Sequence, residues 1–234
     1  MDFELMMKSI PKLLAATELT LLLVGLTLVL GLALSLVVAF LRVSRKKYFR
    51  WPAYAYIFFF RGSPLLVQLF LIYYGLPQLE CVRDSFIWPL LRQPLLCALL
   101  AFCLNTAAYT GELLRGAIEA VPAGQIEAGM CLGMSRWQIF RKIVLPQAIR
   151  IGLPAYSNEV VYTIKDSSLA SVVTLLELTG MARNIVARTY KPIEIFLLTA
   201  CIYLILVFVA TRLLRMVEGL LPPHDKKSDR LGLS

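Results

Sequence analysis

Charge is scarce in this chain: 17% of its 234 residues are Asp, Glu, Lys or Arg, where soluble domains carry roughly 25%. Histidine is scarcer, with His224 alone near the C-terminal end. The cysteines Cys81, Cys97, Cys103, Cys131 and Cys201 are odd in number and scattered, with no C-x-x-C pair. That argues against a structural metal site, and the cysteines read as small buried hydrophobes. One tail histidine and no G-x-S-x-G leave no nucleophile–base pair for an enzyme. No G-x-x-x-x-G-K-[ST] loop is present, so the chain does not bind ATP by that route. A cleavable leader is not expected either, because Asp2, Glu4, Lys8 and Lys12 interrupt the N-terminal stretch and no A-x-A site ends it.

What is abundant is apolar length. Leu19–Leu41 runs 23 residues without a charge, and a bilayer core needs about 20. The pattern predicts an all-α polytopic membrane protein, a single domain over 1–234, with five transmembrane helices. They are placed at about 16–41, 52–75, 94–115, 152–175 and 194–214, with a polar tail over 222–234. Arg42, Arg45, Lys46, Lys47 and Arg50 follow the first span without an acid. By the positive-inside rule that loop is cytoplasmic, which puts the N-terminus outside and the C-terminus in the cytoplasm. The net charge of +9 is read the same way, as orientation and not as nucleic-acid binding. Residues 76–93 and 176–194 then form outer connections. No internal repeat is visible, and five helices are few to enclose a solute path, so a partner is expected.

The one polar island, residues 118–150, has helical periodicity. Gly133 falls where a first helix would end. Ser135 with Gln138 three residues on reads as a capping box opening a second helix, with Pro146 after it. Two capped helices, an apolar face with Trp137 and Phe140, and a basic edge look like a docking element for a soluble partner; a plain solvated connection is the rival reading.

Charges inside spans are expensive and face protein or a water-filled path. In span four, Glu159, Tyr162 and Asp166 lie at i, i+3, i+7 and share a face beside Asn158, with Lys165 turned about 120° away. Glu159 reads either as the acceptor for a cationic solute or as a structural ion pair. In span two, Arg61-Gly62-Ser63-Pro64 should kink the helix or free backbone groups. Arg61 either snorkels to the interface or offers its guanidinium to a carboxylate. Glu112 shares a face with Asn105 and Ala108 in span three and, near the cytoplasmic end, suits a solvated or an inter-helix role.

Specific motifs carry a resemblance. Glu127-Ala128-Gly129, three residues, Gly133, nine residues and Ile143-Val144-Leu145-Pro146 is similar to the cytoplasmic EAA loop of ABC importer permeases. Gly129 stands where a second alanine is usual, a change that loosens the first helix. FRGSPLLVQ (60–68) resembles a motif of polar amino-acid permeases. LPAYSNEV (153–160), VRDSFIWPLLR (82–92) and NTAAYTGE (105–112) resemble M-type permeases for histidine, lysine and arginine or for octopine and nopaline.

The resemblance implies the type I importer (MetI-like) fold in a bacterial inner membrane. It implies a pore shared with a Q-type paralogue, two cytoplasmic ATPase subunits that bind the ATP, and a periplasmic solute-binding protein. It also implies no cofactor in this chain. Glu127, Ala128, Gly133, Ser135, Arg136 and Trp137 become ATPase-coupling residues, and Glu159, Asn158, Tyr162 and Arg61 candidate solute contacts. The rivals are a homo-oligomeric carrier or channel for cationic solutes, and a membrane scaffold.

Overall fold

The computed structural model describes residues 2–44 and 46–220. Arg45, and the tail over 222–234 with its histidine, lie outside the described residues. Those residues form helices joined by tight turns, and no strand occurs among them.

The first helix, α1 (Phe3–Val43), is far longer than the span read from residue 16. Asp2 caps it, accepting from the Leu5 backbone N–H at 3.0 Å, and also pairs with Lys191. At 1.5 Å per residue α1 reaches ~60 Å, about twice a bilayer core. It lies along α6 (Pro94–Glu119), the most buried long helix. The approach is close because the contact uses small residues: a methyl group on Gly31 would sit 3.0 Å from Thr106, and one on Gly111 2.9 Å from Val38.

Span two is not one kinked rod. It is α2 (Lys47–Gly62) and α3 (Leu65–Phe70), the latter extended by a π-turn and a 3-10 turn to Gln78, with 104° between the two arms. The cause is local. Pro64 has no N–H, so the Phe60 carbonyl loses its helical donor. The buried Gln68 amide supplies one at 2.8 Å and Asn105 of α6 another at 3.3 Å. Gln68 also donates to the Ser63 carbonyl and accepts from Asn105 at 3.0 Å. The expected kink is a turn of the chain, held by side-chain amides.

Two short helices, α4 (Glu80–Arg83) and α5 (Trp88–Leu91), shape the connection to α6. Then come α7 (Ala123–Cys131), α8 (Arg136–Ile139) and α9 (Leu145–Asp166). Pro146 was expected to close the helix after Ser135, and it does not. A π-turn over Phe140–Val144 joins α8 to α9, with Leu145 N–H reaching back to Phe140. The wider turn makes room for the proline ring and spends one residue without a four-back bond.

Residues 176–194 are also more than an outer connection. Thr174 at φ 63° turns the chain, and α10 (Leu178–Thr189) follows. Its Leu178, Ala182 and Ile185 pack with Leu13 of α1 and with Ile195 and Ile202 of α11 (Pro192–Gly219). The apolar spacing of this short amphipathic helix was hidden by Glu177, Arg183, Arg188 and Lys191. Three helices, α1, α6 and α11, are each long and apolar enough to cross a membrane. Two bent pairs, 47–62 with 65–78 and 136–173 with 178–189, qualify only when each pair is counted as one span. The cysteines divide: Cys97 and Cys103 are buried in α6, while Cys81, Cys131 and Cys201 are exposed. The last three sit on the outward faces of α4, α7 and α11, which the spacing alone did not reveal.

Candidate functional sites

Two regions hold the residues of interest. The first is the capped turn between α7 and α8. Met134 N–H bonds the Gly129 carbonyl at 3.1 Å and Gly133 N–H bonds Met130 at 2.9 Å, the paired closure of a helix that ends in a left-handed residue. Gly133 supplies that residue at φ 73°. Two residues on, Ser135 N–H donates to the Gln138 side chain at 2.8 Å and Gln138 N–H to the Ser135 hydroxyl at 3.3 Å. The capping box is therefore complete.

Beneath the turn Val121, Ile139 and Val144 are buried. Gly129 belongs to this packing: a methyl group there would meet Ile143 at 3.0 Å and Ile139 at 3.2 Å. The missing side chain thus lets α7 close onto the following helix. Glu127, Ala128, Gly133, Ser135, Arg136 and Trp137 are all exposed around the turn. Met130, Leu132 and Trp137 add apolar surface, Leu132 being 81% exposed. The turn is packed on apolar residues below and exposes apolar side chains above.

The second region lies on α2, α6 and α9. Arg61, in the last turn of α2, sits 5.2 Å over the Tyr109 ring, and the Tyr109 hydroxyl donates to its carbonyl at 3.4 Å. Glu159 is half-buried on α9. Tyr162 is exposed, and Lys165 folds back so that its ammonium lies 5.8 Å over the ring. The face therefore carries a cation that helical angle alone turned away. Asn158 points elsewhere. It lines a cleft with Ser157, Arg215 and Glu218 between α9 and α11, where Ser157 donates to Glu218 at 2.5 Å. Glu112 ties helices: it pairs with Arg115 at 2.6 Å and lies 3.5 Å from Arg42 of α1.

Sequence reasoning missed two polar elements. Gln68 was visible only as part of a motif, and Asn105 was placed on the face of Glu112 without its bond to Gln68. Glu177, fully buried, caps α10 through Thr179 N–H at 2.9 Å and Gly180 N–H at 2.8 Å and accepts from Tyr203 of α11 at 3.1 Å. A carboxylate just before a helix start was the available signal, and Thr179 and Gly180, poor helix formers, masked it.

Residues 31–221 match the family of binding-protein-dependent transport system inner membrane components. The chain belongs to this family. It is 48% identical to the nopaline transport system permease protein NocM of Agrobacterium fabrum, over 96% of this chain and 93% of that one. It is 49% identical to the octopine permease OccM of Rhizobium meliloti, covering 93% and 89%. The histidine/lysine/arginine/ornithine permease HisM of Escherichia coli is 43% identical, covering 89% and 88%. Among solved structures, an amino acid ABC transporter crystallised with histidines superposes at TM-score 0.85 with 34% identity, over 94% of this chain and 99% of that one. The MetNI methionine transporter superposes at 0.68 with 17% identity, covering 95% and 100%, a likeness of fold. The chain is thus a helical permease component with the MetI-like importer fold.

Proposed function

We propose that this protein is a permease subunit of an ATP-driven importer for basic amino acids or related opines in a bacterial inner membrane. Each bent helix pair is one span, which makes five, with the N-terminus outside and the capped turn in the cytoplasm. The pore is shared with a Q-type paralogue. Two cytoplasmic ATPase subunits bind the ATP and grip the turn, and a periplasmic binding protein delivers solute. This chain works without a cofactor of its own. The names of its relatives, permeases for nopaline, octopine and histidine/lysine/arginine/ornithine, support the solute class. The carrier and channel reading has no such support.

One observation carries the mechanism. From Arg136 to Asp166 the chain is helical without a break, so the capped turn and Glu159 stand on one rod ~35 Å apart along its axis. Closure of the ATPases moves the turn, the rod moves with it, and the α9 face reorients between the two sides of the membrane. The π-turn at Phe140–Val144 is the place where the rod can adjust its pitch. Glu159 then meets the cationic group of the solute in a low-dielectric setting, while Arg61 offers a guanidinium to its carboxylate.

The test is uptake in proteoliposomes holding the whole complex. Gly133→Asp should abolish both uptake and stimulated ATP hydrolysis with the permease still assembled. Glu159→Gln should reduce uptake of arginine far more than of a neutral amino acid. Normal uptake by Gly133→Asp would sink the coupling role of the turn.

A further inference from the structure

A cleft of about 420 Å³ opens between the end of α1 and the start of α2, lined among the described residues by Arg42, Arg50, Trp51 and Tyr54. Arg42 and Tyr54 also line a neighbouring cavity of about 320 Å³. The positive charge here is not balanced. Glu112 is shared between Arg42 and Arg115, Glu119 is taken by Arg115, and Arg50 has no ion pair among the described residues. The buried Arg42 Nε makes no hydrogen bond and faces Glu112 Oε2 at 3.5 Å as an ion pair only. The Arg42 guanidinium is nonetheless held in place, 5.1 Å over the Tyr54 ring, so its ordering is already spent before any ligand arrives.

The surroundings are those of a membrane interface. Tyr48 is 90% exposed and Trp51 64% exposed, with Phe49 and Tyr54 beside them, the amphipathic aromatics that settle at headgroup depth. Lys46 and Lys47 begin the same helix. A basic pocket between helices at this depth suits the phosphate of an acidic lipid.

We propose that Arg42 and Arg50 form an oxyanion site for the phosphate of an anionic phospholipid, with Trp51 and Tyr54 walling its glycerol. Paired guanidiniums match phosphate oxygens in geometry and in charge. The site rests on the reading that the chain crosses a membrane, and not on which end faces the cytoplasm. A solute carboxylate leaving past Arg61 is the other source of the same chemistry.

The experiment uses the assembled complex in a non-ionic detergent and reads the part of the tryptophan emission that Trp51→Phe removes. Dihexanoyl-phosphatidylglycerol should change this signal saturably, and dihexanoyl-phosphatidylcholine should not. Arg50→Gln should weaken the response tenfold or more, while Arg50→Lys stays within a few-fold. Equal responses to the two lipids, or an unchanged Arg50→Gln curve, would overturn the proposal. Saturation by free L-arginine in place of the lipid would also overturn it and assign the cleft to the departing solute. The failure of uptake in the Gly133→Asp complex bears on the transport reading alone, because lipid binding needs no ATPase coupling.

Discussion

The Gln68 side-chain amide donates to the Phe60 carbonyl at 2.8 Å, replacing the N–H that Pro64 lacks. The break in the second apolar stretch is therefore a satisfied structure, with Asn105 of α6 as its second support.

Removing that support has a defined cost. Gln68→Leu leaves a carbonyl under-satisfied in a buried place and should lower stability by about 1–3 kcal/mol. Asn105→Leu should act in the same direction. The double variant should lose less than the sum, because the two amides bond each other. Thermal unfolding of the purified permease in detergent reads all three, and strict additivity would count against one shared network.

At Gly133, with φ 73°, a side chain strains the backbone by about 1–2 kcal/mol. Asparagine tolerates this region and valine does not. Gly133→Asn should keep most of the transport rate and Gly133→Val should lose it. Uptake and ATP hydrolysis measured together would show whether the turn or the whole fold has failed.

The capping box predicts a smaller effect. Ser135→Ala removes one acceptor at the start of the second helix and should cost ~1 kcal/mol, while Ser135→Asp should be tolerated. Hydrogen exchange at Arg136–Gln138 checks this, and equal protection in wild type and Ser135→Ala would refute the capping role.

The N-terminal cap titrates. The Lys191 ammonium, and then the Leu5 N–H, hold the Asp2 carboxyl below its ordinary range. A lowered folded-state value means the pair stabilises above the ordinary carboxylate pKa and is lost as pH falls through the lower folded value. Protection of the first α1 amides, relative to their intrinsic exchange rate at each pH, should therefore fall below about pH 4. Asp2→Asn should show no such step.

Sidedness is tested by labelling. In a background without the exposed Cys81, Cys131 and Cys201, a membrane-impermeant thiol reagent added outside should mark Ser85→Cys and not Lys47→Cys. The reverse pattern would invert the proposed topology.

Much of this was legible in the chain because it rests on local chemistry. Ser135 and Gln138 are three residues apart, Gly133 ends a periodic segment, and both features appear where their spacing put them. The break at Gly62–Pro64 was also readable, since proline acts on its own neighbours. Its angle was not, because 104° depends on Asn105, 45 residues beyond Phe60. Asn158 is placed in a cleft with Arg215 and Glu218 only by the packing of α11 against α9.

The capped turn, the apolar lengths and the motif spacing followed from the sequence alone, because each depends on residues within one or two helical turns of one another. Tertiary structure decided the rest. It carried the helix through Pro146 so that the turn and Glu159 share a rod, it buried Glu177 under α10, and it brought Arg42 to Tyr54 and Glu112 on two other helices. The physical reason is common to the last two: a buried polar group takes whatever partner the packing brings near, and sequence distance does not predict which one that is.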